Sequence, residues 1–239
     1  MRSLSHKELL YYKMIDLKSF LGYRPTQYGI DLIDRFSNTG IVVGAIPFKT
    51  LGLRGMAFIG DKTKPDSIML NSRRTEIEQN FDCGHEAVHL ALHRDLDQKT
   101  FNCFDDKVQA DQDPFLEWQA NEGSAEFLVP YTVFLPLVKM YLGTKPDYSS
   151  VENFKLTSSK LFGVPPAVIK YRLESLKYEI VQYYAGIKIL DIEILSKHQQ
   201  EKRGIYITSL NRISPGEYLD MEKYIEMKNR SGANQNGFR

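Results

Sequence analysis

The amino-acid sequence predicts an α+β fold in which a small three- to four-stranded sheet precedes a mostly helical C-terminal region. Three observations support this class. Short extended runs follow one another between residues 41 and 70, a four-residue period begins after Thr75, and helical patterns dominate from residue 114 onward. Hydrophobic residues make up 42% of the 239 residues, which is typical of a folded globular protein and excludes a mainly disordered chain.

The charge balance and the cysteine content exclude several classes of protein. With 31 basic and 30 acidic residues, the chain lacks the positive excess of a dedicated nucleic-acid or membrane-surface binder. Two cysteines, Cys83 and Cys103, are too few for a disulfide framework. The N-terminus lacks the apolar core of a signal peptide, and the longest apolar stretch, 127–138, is too short to cross a bilayer. We therefore expect a soluble, cytoplasmic protein without a membrane partner.

The N-terminal part of the chain is predicted to contain two helices and the strands of the sheet. Residues 5–20 place apolar side chains near one helical face, and a second short helix is predicted over 27–36. Three extended runs at 41–46, 56–59 and 68–70 are each bounded by Gly, Pro, Asp or Asn. Because such residues interrupt regular structure, these runs predict the strands of a small sheet.

Two longer helices follow, separated by a polar segment. The first is predicted over 76–94 with Thr75 as its N-cap, because apolar residues and histidines recur there every four residues. The segment 95–112 is rich in Asp and Gln and is predicted to be a loop. A second helix is predicted over 114–129, because Asp113 precedes a proline that suits the first helical position.

The remainder of the chain is predicted to be mostly helical, over 131–142, 149–161, 165–184 and 188–202. Beyond it, the sequence indicates an extended piece at 205–207, an amphipathic segment at 217–229 and a frayed polar end. These patterns predict three regions, namely a compact core over 1–145, a helical region over 146–202 and a partly flexible extension over 203–239.

The sequence from His85 to His89 is an H-E-x-x-H motif on a predicted helix. Residues four apart lie on one helix face, so His85 and His89 can bind one ion with Zn–N bonds of about 2.0–2.1 Å. Glu86 lies beside that face, where its carboxylate can take a proton from a metal-activated water. The motif alone also fits three unrelated polar residues on an exposed helix.

A catalytic zinc ion needs a third protein ligand and one open position. His93 continues the four-residue spacing, but it lies about 12 Å along the helix from His85 and cannot bind the same ion. We therefore expect His93 to be a packing residue or a partner of a ligand. A metzincin pattern is also excluded, because Leu92 and Asp95 stand where that pattern requires Gly and His.

The favoured third ligand is Glu117, which lies on the second predicted helix, 28 residues beyond His89. The preference rests on the precedent of zinc sites with two histidines and one glutamate. Glu122 and Glu126 are rivals for the same role. Asn121 lies one turn beyond Glu117, so its carbonyl oxygen is placed to accept the outer N–H of a metal-binding histidine.

Three segments resemble the ImmA/IrrE family of zinc metallopeptidases, of the type found in phages and mobile elements. They are Leu70-Asn71-Ser72, then FDCGHEAVHLALH over 81–93, and EWQANEGSAEFLVP over 117–130. The resemblance covers residues 25–185 and implies a zincin-like, gluzincin-like peptidase core of the HEXXH type. It also raises the metal-site interpretation of the motif well above the alternative of unrelated polar residues.

The resemblance also assigns roles to residues of this chain. It implies one Zn²⁺ per chain, held by His85, His89 and Glu117. It further implies that Glu86 is the catalytic residue and that Asn121 supports the ligands from outside.

Three residues within these segments depart from the family pattern. Cys83 and Gly84 stand where the family often has apolar residues and Ala, and Gly123 lies inside the second helix. Since Gly in a helix interior costs about 1 kcal/mol relative to Ala, we expect slightly less stable helices.

Residues 156–176 resemble a helix-turn-helix, with a Phe-Gly-Val turn followed by a helix that starts at proline. The family resemblance implies that such a segment commonly packs beside the peptidase core. No basic stripe supports DNA binding, so packing is favoured and DNA binding stays open.

The expected activity is hydrolysis of a peptide bond in a helix-turn-helix repressor protein, a substrate class that the resemblance implies. We expect an extended substrate to add a strand at the sheet edge around 68–71. Tyr131 and His93 are candidates for stabilising the oxyanion. Two alternatives remain: a non-proteolytic, zinc-stabilised protein that sequesters a repressor, and a DNA-binding transcription regulator.

Overall fold

The computed structural model describes residues 5–105, 109 and 112–232, with the backbone alone for 231 and 232. Its strands are β1 Val42–Ile46, β2 Leu53–Phe58, β3 Ser67–Asn71 and β4 Thr100–Phe104. Its helices are α1 His6–Phe20, α2 Leu32–Ser37, α3 Glu76–Leu92, α4 Pro114–Leu128, α5 Tyr131–Leu142, α6 Tyr148–Phe162, α7 Pro166–Ser175, α8 Lys177–Tyr184, α9 Lys197–Lys202 and α10 Met221–Gly232. Short 3₁₀ turns lie at Ile189–Asp191 and Leu210–Arg212. The predicted α+β class is confirmed.

The four strands form one sheet in the order β1-β3-β2-β4. β1 runs parallel to β3, and β2 runs antiparallel to both β3 and β4. The expectation that the strand around 68–71 offers its edge to a substrate is wrong, because β3 is bonded on both sides. Among the described residues, the edges of the sheet belong to β1 and β4.

The strand β4 lies inside the segment 95–112 that the sequence predicts to be a loop. Its side chains alternate between partly exposed and buried, and Phe101 and Cys103 point into the core. The strand is only five residues long and is surrounded by Asp and Gln, so its alternation is too short to stand out. Pairing with β2 stabilises it in the folded chain.

Several helix boundaries differ from those predicted by periodicity. The helix predicted over 27–36 is reduced to the six residues of α2, and the one predicted over 165–184 is interrupted at Leu176 between α7 and α8. The continuous helix predicted over 188–202 is wrong, because a 3₁₀ turn precedes α9 and Ser196 caps α9. Residues 205–207 form no strand. The frayed end lies largely outside the described residues.

Contacts between residues divide the chain into two compact units. One contains residues 10–130 and 162–165, and therefore the sheet with α2, α3 and α4. The other contains residues 1–9, 131–161 and 166–239, and therefore α5, α7 to α10 and most of α6. The three regions predicted from the sequence, 1–145, 146–202 and 203–239, stay predictions.

Glycines allow α3 and α4 to pack closely within the first unit. A Cβ atom added at Gly84 would lie 2.5 Å from Ser124 Oγ, whose hydroxyl donates to the carbonyl of Phe81. A Cβ atom added at Gly123 would lie 3.0 Å from Val88 Cγ2. The two glycines expected to weaken the helices are therefore required where the helices meet.

We expect Gly84→Ala to destabilise the protein by about 1–3 kcal/mol, the usual cost of overpacking a core. The clash with Ser124 outweighs the gain of about 1 kcal/mol in helix propensity. Urea unfolding of Gly84→Ala, Ser124→Ala and the double variant measures the coupling between the two positions. The double variant should recover part of the loss. A Gly84→Ala protein as stable as the parent would contradict the close-packing explanation.

Candidate metal centre

The helix α3 places the H-E-x-x-H residues in the interior of the protein. Its first turn is closed by a capping box between Thr75 and Glu78, and every residue from 81 to 90 is buried. Because α3 packs against β2, β3, β4 and α4, it has little exposed surface in this stretch. The residues His85, Glu86 and His89 are 0% exposed, which rules out the alternative of polar residues on an exposed helix.

Three potential metal ligands on α3 and α4, namely His85, His89 and Glu117, lie close to one another. His85 Nε2 is 3.2 Å from His89 Nε2 and 3.3 Å from Glu117 Oε2, and His89 Nε2 is 3.6 Å from Glu117 Oε1. Tetrahedral coordination with bonds of 2.0–2.2 Å separates ligand atoms by about 3.3–3.6 Å. The two imidazole nitrogens and the Glu117 carboxylate, which offers a different oxygen to each of them, therefore lie at distances that suit three ligands of one tetrahedral cation.

The first turn of α4 places Glu117 at this point. Asp113 caps the helix by accepting from the backbone N–H of Phe115. The rivals Glu122 and Glu126 are engaged elsewhere. The hydroxyl of Tyr11 donates to Glu122, and Glu126 faces Lys18. Burial lowers the pKa of Lys18 to about 8 against the opposing charge of Glu126.

The outer nitrogen of His85 has the partner that helical spacing predicts. Asn121 Oδ1 lies 3.2 Å from His85 Nδ1, and the Asn121 amide donates to the backbone carbonyl of Glu117 at 3.0 Å. That second bond orients the amide so that its oxygen faces the imidazole. Asn121 therefore lies where an outer partner of a metal-binding histidine is needed.

The ring of His89 is held on two sides. It stacks on Phe101 of β4 at a centroid distance of 4.4 Å, and its Nδ1 lies 2.9 Å from Nδ1 of His93. Burial, together with the neighbouring His85 and His93, lowers the pKa of His89 to about 2. Burial also lowers the pKa of His93. Neutral imidazoles can bind a metal ion, whereas protonated ones cannot.

The contacts of His93 correct one expectation about the oxyanion. His93 Nε2 lies 3.1 Å from Gln119 Oε1, so its two ring nitrogens are occupied by His89 and Gln119. A histidine engaged in this way has no N–H to offer a substrate. His93 is therefore not the oxyanion donor, and it is a partner of His89.

The Glu86 carboxylate is completely buried and has no hydrogen-bond partner among the described residues. It lies against β2 where Gly55 leaves space, since a Cβ atom there would be 2.8 Å from Glu86 Oε1. Burial raises the pKa of Glu86 well above its ordinary value, and the carboxylates of Glu117 and Asp82 raise it further. A buried carboxylate without a partner needs a cation or a proton donor beside it.

An ion cluster one turn before Glu86 was not predicted from the sequence. Arg74 Nε lies 2.6 Å from Asp82 Oδ2, and Arg54 Nε lies 3.6 Å from Asp82 Oδ1. Burial raises the pKa of Asp82, against the opposing effect of both arginines. Arg54 occupies a register shift between β2 and β4, and β-bulges of this kind re-aim a side chain. No motif in the sequence indicates a bulge.

A second group of potential ligands shares His85 with the first. It consists of His85, Glu86 and Cys103, whose ligand atoms lie within 4.8 Å of one another. Burial raises the pKa of the Cys103 thiol well above its ordinary value, so the sulfur stays protonated and is a poor ligand. The set of His85, His89 and Glu117 is the better cation site.

Gln112 is a further neighbour of the site that sequence analysis missed. Its amide donates to Glu117 Oε1 at 3.1 Å and also to the backbone carbonyl of Asn102 on β4. It thereby connects the carboxylate of Glu117, a potential metal ligand, to the edge of the sheet. A glutamine in a polar segment carries no spacing signal that distinguishes it from its neighbours.

The chain also matches a known protein family. The chain matches the family model described as Peptidase_M78, IrrE N-terminal-like domain, over residues 36–174, which is more than half of its length. The chain belongs to this family. The predicted resemblance to ImmA/IrrE proteins is thereby confirmed, and the fold is consistent with their zincin-like core. Among curated proteins, no match to the chain is found.

Membership of this family indicates a metallopeptidase and therefore implies a bound metal. The described residues fit such an ion, since they offer two imidazoles, one carboxylate and an adjacent buried carboxylate without a hydrogen-bond partner. No single described helix is long and apolar enough to cross a membrane, and α4 and α5 reach the required length and hydropathy only as a bent pair.

We expect Glu117→Gln to abolish stoichiometric metal binding. The loss of affinity should exceed the roughly 10–100-fold that removal of an outer partner of a ligand causes. The metal content of the purified protein, measured by inductively coupled plasma mass spectrometry, checks this expectation. Glu126→Gln is the matched control, because Glu126 lies on the same helix and is 6% exposed against 7% for Glu117. One metal ion per chain in Glu117→Gln would contradict the assignment.

Proposed function

We propose that this chain is a zinc-dependent endopeptidase of the HEXXH type that cleaves a helix-turn-helix repressor protein. One observation supports the chemistry above all others. The buried ligand atoms of His85, His89 and Glu117 lie 3.2–3.6 Å apart, which suits tetrahedral zinc coordination, and the adjacent Glu86 carboxylate has no hydrogen-bond partner among the described residues. Two histidines and a glutamate form a known set of catalytic zinc ligands that leaves one position open.

The ion would be one Zn²⁺ per chain, held by His85, His89 and Glu117, with Asn121 supporting His85. When bound, zinc supplies a Lewis acid that activates water and polarises the peptide carbonyl. Glu86 accepts a proton from the attacking water and delivers it to the leaving amine.

The edge of β4 is the favoured place for an extended substrate. The backbone N–H of Ile59 donates to the backbone carbonyl of Lys99. Because hydrogen-bonded positions alternate in an antiparallel pair, the backbone N–H and C=O groups of Phe101 and Cys103 then face β2. The backbone groups of Asn102 then face the open edge, where the amide of Gln112 donates to the Asn102 carbonyl. A substrate strand would replace this side-chain bond with its own backbone N–H. Tyr131 stays the candidate oxyanion donor.

The repressor substrate is a proposal that the likeness to ImmA/IrrE proteins supports. The DNA-binding alternative has less support. Four residues of α7 are buried, and one of them is a basic residue that could otherwise contact phosphate: Val168, Ile169, Arg172 and Leu173. We therefore propose that residues 156–176 pack within the protein and do not bind DNA.

We expect Glu86→Gln to retain zinc and to lose cleavage by at least about 100-fold, because general base catalysis contributes this much or more. Intact mass spectrometry of the cognate repressor, incubated with zinc-loaded protein, would show one defined cut for the parent and none for the variant. Equal turnover by both proteins would refute the role of Glu86. Equal regulation of the repressor without any cut would instead indicate sequestration.

We expect Gly55→Ala to lower kcat/KM by about 100-fold while zinc binding is retained. The added methyl group displaces the Glu86 carboxylate, and a misplacement of about 1 Å can cost this much. Cleavage assays and metal analysis on the same preparation separate the two effects. Gly44→Ala is the matched control, because a Cβ atom at this β1 glycine would meet only the flexible side chain of Met69. Normal activity in Gly55→Ala would contradict the positioning of Glu86 by this glycine.

A further inference from the structure

Three side chains form a continuous chain of hydrogen bonds behind the candidate metal centre. His89 Nδ1 lies 2.9 Å from His93 Nδ1, and His93 Nε2 lies 3.1 Å from Gln119 Oε1. His89 and His93 are 0% and 3% exposed, so water has little access to either imidazole. The three residues come from both helices of the site, since His93 caps the C-terminus of α3 and Gln119 lies on α4.

The direction of these hydrogen bonds follows from Gln119, because its side-chain oxygen cannot donate. Gln119 Oε1 is a carbonyl oxygen and only accepts, so His93 must carry its proton on Nε2. A neutral His93 then has a lone pair on Nδ1 and accepts from His89 Nδ1–H. The proton of neutral His89 is thereby held on Nδ1, and its Nε2 lone pair faces His85 and Glu117.

We infer that His93 and Gln119 are positioning residues that set the tautomer of His89 for metal binding. The inference rests on the proposed role of His89 as a zinc ligand. The tautomer of His85 is set by a single hydrogen bond, from its Nδ1–H to the side-chain oxygen of Asn121. The tautomer of His89 is set through two hydrogen bonds, one from His89 to His93 and one from His93 to the side-chain oxygen of Gln119. The final acceptor in each case is a neutral amide, so the ring is oriented without an added negative charge.

The four-residue spacing explains why His93 has this role and no direct one. Residues four apart on a helix are neighbours on one face, so His93 reaches the outer nitrogen of His89. It is eight residues from His85 and contacts Nδ1 of His89, whereas the Nε2 atom of His89 faces the other potential metal ligands. Phe101, stacked on His89, keeps the ring from turning away.

The test compares variants that remove or keep the acceptor at position 93. We expect His93→Leu to weaken zinc binding by about 10–100-fold, the usual effect of losing an outer partner of a ligand. His93→Gln, which can again present a carbonyl oxygen to His89, should recover most of that affinity. The dissociation constant is measured by competition with a chromophoric chelator. Equal weakening in both variants would overturn the relay.

A spectroscopic measurement separates tautomer control from mere packing. Long-range ¹⁵N–¹H correlation spectra of the metal-free protein report which nitrogen of His89 carries the proton. We expect Nδ1–H in the parent and a mixture of tautomers in Gln119→Leu, which leaves both histidines in place. Gln119 is only partly buried, so this variant should fold even if His93→Leu does not. An Nε2–H tautomer in the parent would overturn the inference.

Both readouts are independent of peptide cleavage. A protein that binds zinc, shows the Nδ1–H tautomer and cuts no repressor would refute the proposed function and leave the relay intact. A protein that cuts the repressor with His89 in the other tautomer would do the reverse.

Discussion

The cost of burying charge governs the centre of this protein. Two carboxylates, Glu86 and Glu117, lie beside the imidazoles of His85 and His89 in the interior, and a third carboxylate, Asp82, lies one turn away. Desolvated carboxylates are unfavourable unless a positive charge or several hydrogen bonds compensate them. Asp82 has two arginines, but Glu86 has no hydrogen-bond partner among the described residues. A divalent cation held by His85, His89 and Glu117 would supply the missing charge.

Close approach of backbone elements makes this arrangement possible. Gly84 and Gly123 allow α3 and α4 to meet at a distance that brings Glu117 within reach of both histidines. Gly55 does the same between β2 and α3, where it leaves room for the Glu86 carboxylate. Each glycine loses some helix or strand propensity. The site nevertheless requires these glycines, because metal-ligand atoms 3.2–3.6 Å apart can form only where the main chains lie close together.

The sequence predicts the parts of the site that follow from helical spacing. His85, Glu86 and His89 share one helix, and Asn121 is one turn beyond Glu117, so local geometry suffices for these residues. Glu117 lies in the first turn of the next helix, and its role is predicted from the precedent of zinc sites with two histidines and one glutamate. The neighbours contributed by strands were not predicted. Phe101 and Asn102 belong to a five-residue strand inside a polar segment, and the position of β3 between two neighbours depends on pairing across the chain. Pairing partners are non-local and leave no periodic trace in a short strand.

His93 shows where a periodic pattern stops being informative. A four-residue repeat places the imidazoles of His85, His89 and His93 on one face of α3, and the pattern treats all three alike. Helical rise separates the first from the third by about 12 Å, so at most two neighbours in such a row can bind one ion. The remaining histidine then lies against the outer nitrogen of its neighbour. Whether it orients that neighbour for metal binding depends on a residue of another helix, Gln119, which the repeat does not contain.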